Sequence, residues 1–246
     1  MHADFVIRNR VWLALRPRAQ EFLAQRCLTR EIRAGEIIYR EGEPFTHAVF
    51  PHEGLISLMA EMNGGRSVEK VSIGNEGLLG FVIIMGGGPA ISTTVVQVPG
   101  YASWLSIRDL DEALEEFTCV RETMLRYAKS LITQALESIA CNSLHSAEQR
   151  VSRWLLGAHD RIRGDRFELT QQTLSNVLGL RRATVSEACS RLQAAGAIDY
   201  SRGVVTIANR SKLEGLACEC YAKIRRASML EPSGHGRTGR LSDPPR

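Results

Sequence analysis

The chain has 246 residues, 44% of them hydrophobic and 24% charged, with a formal net charge of +4. That is enough for two domains with a core each, and too ordinary a composition for a fibrous or wholly unstructured protein. The charge is unevenly spread: residues 1–145 carry 14 Lys+Arg against 17 Asp+Glu, whereas residues 146–227 carry 14 against 8. A basic carboxy-terminal half is what neutralising phosphates requires.

The first residues are interrupted by Asp4, Arg8 and Arg10, so no signal peptide is expected, and the reducing cytoplasm suits six scattered cysteines. The stretch Gly77–Ile107 lacks any charged residue, but Gly86-Gly87-Gly88-Pro89 divides it. Neither half reaches the roughly 20 apolar residues of a membrane span.

After a short helix around Pro17–Arg26, residues 28–107 alternate short β-rich runs with glycines. The runs are Glu36–Tyr39, His47–Phe50, Leu55–Ala60, Val68–Ile73, Leu78–Met85, Thr93–Val98 and Ala102–Ser106. Short strands at this spacing predict an antiparallel β-roll of the double-stranded β-helix type. A helix near Leu110–Phe117 closes this domain, residues 1–118.

The period then changes. Between Cys119 and Asn142, Leu125, Ala128, Ile132, Ala135 and Ile139 recur at steps of three and four, a coiled-coil seam suited to a second copy of the chain. A second row, Met124, Tyr127, Leu131 and Leu136, would pack on the roll. Asn142–His145 reads as a hinge ending this segment, residues 119–145. Ser146-Ala147-Glu148-Gln149 has the spacing of a capping box and opens a basic domain, residues 146–227, with Trp154 as a core anchor.

Residues 170–192 read as a helix-turn-helix. Leu174, Leu178, Leu180 and Val185 bury two short helices against each other, Gly179 makes the turn between them, and Ser175 is small at their crossing. The second helix presents Arg181, Arg182, Thr184, Ser186, Glu187 and Arg191, groups able to reach base edges and phosphates, with Thr170 and Gln171 at the start of the first helix. Runs Ile198–Tyr200 and Val204–Ile207 around Ser201-Arg202-Gly203 predict a β-hairpin wing that offers Arg202 to a phosphate. Ser211–Glu214 has capping-box spacing for a last helix to about Arg226. The tail Ser228–Arg246, rich in Gly, Pro, Ser and Arg, is expected to be unstructured.

No catalytic constellation is found. Cys218-Glu219-Cys220 is the only close cysteine pair, and without a second pair or a histidine beside it in sequence it falls short of a metal site. No metal and no cofactor are therefore expected.

The order of roll, long helix, hinge and winged head, with Leu169–Leu192, the wing and Ala217-Cys218-Glu219-Cys220-Tyr221, resembles the Crp/Fnr family of bacterial transcription regulators. The resemblance implies an α+β chain with a cyclic-nucleotide-binding-like sensor domain, a dimerisation helix and a winged helix-turn-helix. It further implies a homodimer on a pseudo-palindromic double-stranded DNA site, acting by contact with RNA polymerase. Familiar members place arginine and glutamate side by side in the recognition helix and a further arginine one turn on. Here Arg182 keeps the first place, while Ala183 and Glu187 stand in the others, so the family's target sequence does not carry over. Glu187 could accept from cytosine or hold a neighbouring arginine.

Members that bind a cyclic nucleotide offer a glutamate to the ribose, and an arginine followed by a small hydroxyl residue to the phosphate. The matching segment runs from Gly74-Asn75-Glu76-Gly77 to Ile91-Ser92-Thr93-Thr94, making Glu76, Gly77, Ser92 and Thr93 the candidate effector pocket. No cation lies between Lys70 and Arg108, so a phosphate there would be costly to desolvate. The expectation is a degenerate or altered pocket with an unknown effector. The alternatives are a cyclic-nucleotide site of non-standard form, using a backbone anion nest or a distant arginine, and a ligand sensor acting mainly through protein contacts. The family's iron–sulfur and haem modes lack support: only Cys27 precedes the long-helix region, and His47 and His52 are single histidines among strands.

Overall fold

A computed structural model describes residues 6–64 and 66–229. The predicted tail lies, beyond Met229, outside the described residues. Helices α1 (Arg10–Leu13) and α2 (Pro17–Arg26) precede an antiparallel sheet of β1 (Leu28–Ile32), β2 (Ile37–Tyr39), β3 (His47–Met62), β4 (Arg66–Ile73) and β5 (Thr93–Ser106). The strand order is β1-β5-β3-β4, with β2 also on β5.

The sheet is built on two long strands where four short ones were expected. The glycines read as strand breaks are bends: Gly54 has φ +97°, and a Cβ on Gly100 would lie 2.1 Å from the Glu53 carbonyl oxygen. The β3–β5 register shifts at this point, so glycine lets two backbones approach and the sheet curl instead of ending the strands. Leu78–Met85 is not a strand either. Leu79 bridges Val49, and Phe81–Met85 forms a 3-10 turn bracketed by left-handed Gly80 and Gly86. An unbroken apolar run carries no alternation to tell these conformations apart.

Helix α3 (Ile107–Glu116) leads into the 27-residue α4 (Thr118–Leu144). Met124, Tyr127, Ala128 and Leu131 enter the core of the roll. Gly77 is a glycine for this reason, since a Cβ there would lie 2.3 Å from the Tyr127 ring. His145 is extended, and α5 (Ala147–His159) starts with the capping box of Ser146 and Gln149.

The carboxy-terminal domain continues with β6 (Arg166–Glu168), α6 (Gln171–Leu178), α7 (Arg182–Ala194), β7 (Asp199–Ser201), β8 (Val204–Thr206), α8 (Arg210–Leu216) and α9 (Cys220–Ala227). The sheet order is β6-β8-β7, so the wing hairpin has a third strand that the sequence reading missed. The last helix is two. Asn209, not Ser211, caps α8 by accepting from the Lys212 N–H at 3.0 Å, and the chain is extended at Ala217.

This domain folds back on the roll. Leu55, Met59 and Val98 of the sensor share one apolar cluster with Trp154, Leu174, Val185 and Leu192. Trp154 Nε1 donates to Glu69 of β4 at 3.2 Å. Burial raises the pKa of the Glu69 carboxyl, against the hydrogen bonds from Ser57 and Trp154 that lower it.

Candidate DNA-reading head and effector cradle

The reading head is held from within. Thr170 Oγ1 accepts from the Thr173 N–H at 3.0 Å, capping α6. Gly179 ends that helix at φ +61°, a left-handed position that suits glycine. Ser175 Oγ donates to the Leu180 carbonyl at 2.6 Å, and Leu174, Leu178, Val185, Ala188 and Leu192 fill the space between the helices. This packing rotates Arg181, Arg182, Glu187 and Arg191 outward as exposed residues, with Thr184, Ser186 and Gln171 half-buried beside them. Arg181 and Arg182 form no ion pair among the described residues. Arg191 is held by Glu187 at 2.6 Å and by Glu148 at 3.7 Å, so of the two roles open to Glu187 the structure displays the arginine-holding one.

The wing turn is the two residues Arg202 (φ 50°) and Gly203 (φ 77°), both left-handed as a tight hairpin turn of this hand requires. Arg202 is the one non-glycine with positive φ among the described residues. The turn is tied to the start of α6 by the Leu169 N–H, which donates to the Gly203 carbonyl at 2.8 Å. Tyr200 Oη adds a bond to the Leu169 carbonyl at 3.0 Å. Gly203 stands beside Thr170, where a Cβ would lie 3.6 Å from Thr170 Cγ2, and Arg202 precedes it in the turn.

The exposed stripe on α4 differs in part from the predicted seam. Leu125, Ile132, Leu136 and Ile139 are 49–64% exposed, whereas Ala128 is 4% exposed and Ala135 packs partly against the core of the roll. Leu136, assigned to the inner row, is outside, and Ala128, assigned to the seam, is inside. Both residues are apolar, so the choice was made by which face the roll covers.

In the sensor, Glu76 is buried and both its oxygens are taken. Arg161, from the end of the α5 region, donates Nη2 to Oε1 at 2.7 Å and Nε to Oε2 at 2.9 Å, and the Gly74 N–H donates to Oε1 at 3.2 Å. The remaining arm of Arg161 donates to Ser72 Oγ and to the Gly157 carbonyl. Burial pulls the Glu76 carboxyl up, but the charge and hydrogen bonds of Arg161 outweigh it, and its pKa lies below the ordinary carboxylate value. Gly74 leaves the slot, because a Cβ there would lie 2.4 Å from Arg161 Cδ. Beside the pair is a cleft of about 110 Å³ between the domains, lined by Glu76, Gln134, Trp154, Arg161 and Tyr221 among others.

The other cradle candidates have local partners. The Gly77 carbonyl accepts from Asn9 Nδ2 at 2.7 Å, Ser92 Oγ donates to the Ile91 carbonyl, and Thr93 Oγ1 accepts from the Glu41 N–H at 3.3 Å. Among the haem candidates, His52 is buried, with Nδ1 accepting from the Arg8 and Asn9 N–H groups and Nε2 on Ser103 Oγ. Burial lowers its pKa to about 4. His47 Nδ1 pairs with the Thr46 hydroxyl.

One sequence expectation needs correction. Cys218 and Cys220 do have a third cysteine and a histidine beside them: Cys141 and His145, from the end of α4, fold against the α8–α9 junction. The sequence did not bring these side chains together because the two pairs come from segments more than 70 residues apart.

Comparison with known proteins matches residues 29–117 to the cyclic nucleotide-binding domain and residues 149–216 to the Crp-like helix-turn-helix domain. A curated relative, the transcriptional activator protein Anr of Pseudomonas aeruginosa, is 23% identical over 201 residues, covering 76% of this chain and 80% of its own. Among solved structures, FixK2 from Bradyrhizobium japonicum superposes with a TM-score of 0.65 at 19% identity, covering 78% of this chain and 98% of that one. A Crp/Fnr-family transcriptional regulator from Eubacterium rectale does so with a TM-score of 0.63 at 17% identity, covering 84% and 97%. Among the described residues no helix is long and apolar enough to cross a membrane. With a roll matching one domain model, a winged head matching the other, and the long helix between them, the chain belongs to the Crp/Fnr family of transcription regulators.

Proposed function

We propose that this regulator acts in the cytoplasm as a homodimer on a pseudo-palindromic DNA site, and that its effector cradle is altered from the cyclic-nucleotide form. The observation that carries the reading is the outward face of α7. Arg181 and Arg182 stand exposed at its start, without ion pairs among the described residues, on a hairpin whose interior is packed. Arg182 is the candidate for a bidentate contact to guanine, while Arg181, Thr170, Gln171 and Arg202 flank it for phosphates. Thr184, Ser186, Glu187 and Arg191 complete the surface that faces the groove.

Pairing of two copies is supported by the exposed apolar row Leu125, Ile132, Leu136 and Ile139, which repeats at coiled-coil steps on the face of α4 turned away from the roll. Ala128 and Ala135 sit behind that row and let α4 lie close on the roll. A two-fold pair of reading heads calls for half-sites about one helical turn apart. Contact with RNA polymerase belongs to the same reading, on family resemblance.

For the cradle, the support is that Glu76 is already satisfied by Arg161. A ligand hydroxyl could claim Glu76 only by opening a buried, bidentate ion pair. The family's pattern of an arginine followed by a small hydroxyl residue is missing from the Ile91–Thr94 segment, so the phosphate position of the cyclic-nucleotide form has no arginine of its own.

Selection of bound duplexes from a random-sequence library by the purified chain tests the reading. The expected result is an inverted repeat with half-sites one turn apart, bound by a dimer with an affinity that falls steeply with salt. A monomer in light scattering, or a selected sequence without two-fold symmetry, would count against it. Cyclic AMP and cyclic GMP are expected to leave the melting temperature unchanged.

A further inference from the structure

Cys141, His145, Cys218 and Cys220 bring four donor atoms within 4.8 Å of one another. The three cysteines are buried and form a cluster of their own, apart from both apolar cores. Cys141 Sγ lies 3.5 Å from Cys218 Sγ, and Cys220 Sγ lies 3.7 Å from His145 Nδ1. With metal–sulfur bonds of about 2.3 Å and metal–nitrogen bonds of about 2.0 Å, the edges of a tetrahedron are about 3.8 Å between sulfurs and about 3.5 Å between sulfur and nitrogen. These two separations are close to those edges, and the four donors stay within 4.8 Å of one another.

The second nitrogen of the histidine is also engaged. His145 Nε2 is 3.2 Å from a Glu219 carboxylate oxygen. A proton on Nε2 donated to Glu219 leaves the Nδ1 lone pair facing the sulfurs, the carboxylate–histidine arrangement that fixes a metal-ligating imidazole. Two structural cysteines in contact would need no such histidine, and a histidine on a surface would need no three thiols.

We propose that these four residues form a mononuclear tetrahedral site for a thiophilic divalent cation of the zinc type. Binding displaces three thiol protons to solvent, leaves the imidazole neutral and gives a site of net charge −1. Arg153, whose charge acts on Cys141, supplies the compensating cation. A polynuclear iron–sulfur core would hold its ligands further apart than a single ion's edge.

The site's position gives it a consequence. Cys141 is on the dimer-helix side of the hinge and His145 lies at its end, whereas Cys218 and Cys220 are on the reading-head side. One ion would therefore staple α9 to the end of α4 and hold the head in the pose seen here. This assignment rests on the four donors alone and does not depend on the DNA reading above.

The test uses the full chain purified under reductant. Zinc is expected at one equivalent per chain. After chelation, titration with Co²⁺ is expected to give thiolate-to-cobalt charge transfer and the strong visible bands of a tetrahedral ion, saturating at one equivalent. Cys220→Ser and His145→Ala are expected to lose stoichiometric binding at micromolar competitor chelator, while Cys27→Ser and Cys189→Ser, outside the cluster, retain it. Should a variant fail to fold, the wild-type cobalt titration still decides. The proposal is overturned if the wild-type chain takes up no Co²⁺ and all six thiols react freely in the presence of Zn²⁺. A Cys141–Cys218 disulfide in protein kept reduced, or an iron–sulfur chromophore in freshly isolated protein, overturns it equally.

Discussion

The reading head and the effector cradle treat their charged groups in opposite ways. On α7 the packing is apolar and internal, so Arg181 and Arg182 are left exposed, without an ion pair among the described residues. In the cradle the one carboxylate that the family's pattern would offer to a ligand is used up, inside the protein, by Arg161. The same chemistry of charge-assisted hydrogen bonds serves recognition where one partner is withheld and architecture where both are present. A head with unspent cations is built to meet an anion, and a cradle with a spent anion is built to hold the head.

Four experiments would break or sharpen that contrast. The largest effect is expected in the cradle. Arg161→Met leaves Glu76 buried without a partner, which should cost about 3–5 kcal/mol and lower the melting midpoint by on the order of 10 °C. Adding Glu76→Gln should restore most of it. A loss within the range of ordinary surface substitutions would show that Glu76 is not pinned as described.

Next comes the interior of the roll. His52 is held neutral, with its pKa lowered from the ordinary 6.5 to about 4. Between those values the unfolded chain binds more protons than the folded one, so stability falls as pH drops from 6.5 to about 4, by up to about 3 kcal/mol. Denaturant titrations along this range should show the slope, and His52→Gln should flatten that contribution.

The head should respond in binding rather than in stability. Arg182→Ala is expected to weaken the best selected duplex by about 1–3 kcal/mol, roughly 10–100-fold, and to relax preference at one base pair per half-site. Its melting curve should be unaltered, and a large thermal loss would mean that Arg182 is structural after all. The smallest effect is at the wing. Arg202→Gly removes a non-glycine residue from the left-handed region and should stabilise the domain by up to about 1 kcal/mol. It should also reduce the salt slope of DNA binding by about one per subunit.

What was legible in the sequence follows the range of the interactions. The helix-turn-helix spacing, the Gly179 turn and the Ser146 capping box are each fixed by residues within a few positions of one another, and they fold as read. The roll was legible as a class, but Gly54 and Gly100 looked like strand ends because only their partner strand shows them to be bends. The face of α4 that stays exposed could not be chosen between Ala128 and Leu136 by hydrophobicity, since the roll makes that choice. The Arg161–Glu76 pair spans 85 residues, and Cys141 meets Cys218 across 77. No local pattern encodes either meeting, although an acidic residue in an otherwise uncharged stretch was a signal that a cation must arrive from elsewhere.

Gly74 has a consequence for how such a chain could be retuned. The residue takes part in no charge interaction through a side chain, yet the missing Cβ is what admits the stem of Arg161. Alanine at that position would evict the guanidinium by volume alone, leaving the acid, the base and the DNA-facing surface chemically intact. A single methyl group could therefore unfasten one half of the molecule from the other, which makes this silent position a sterically operated catch.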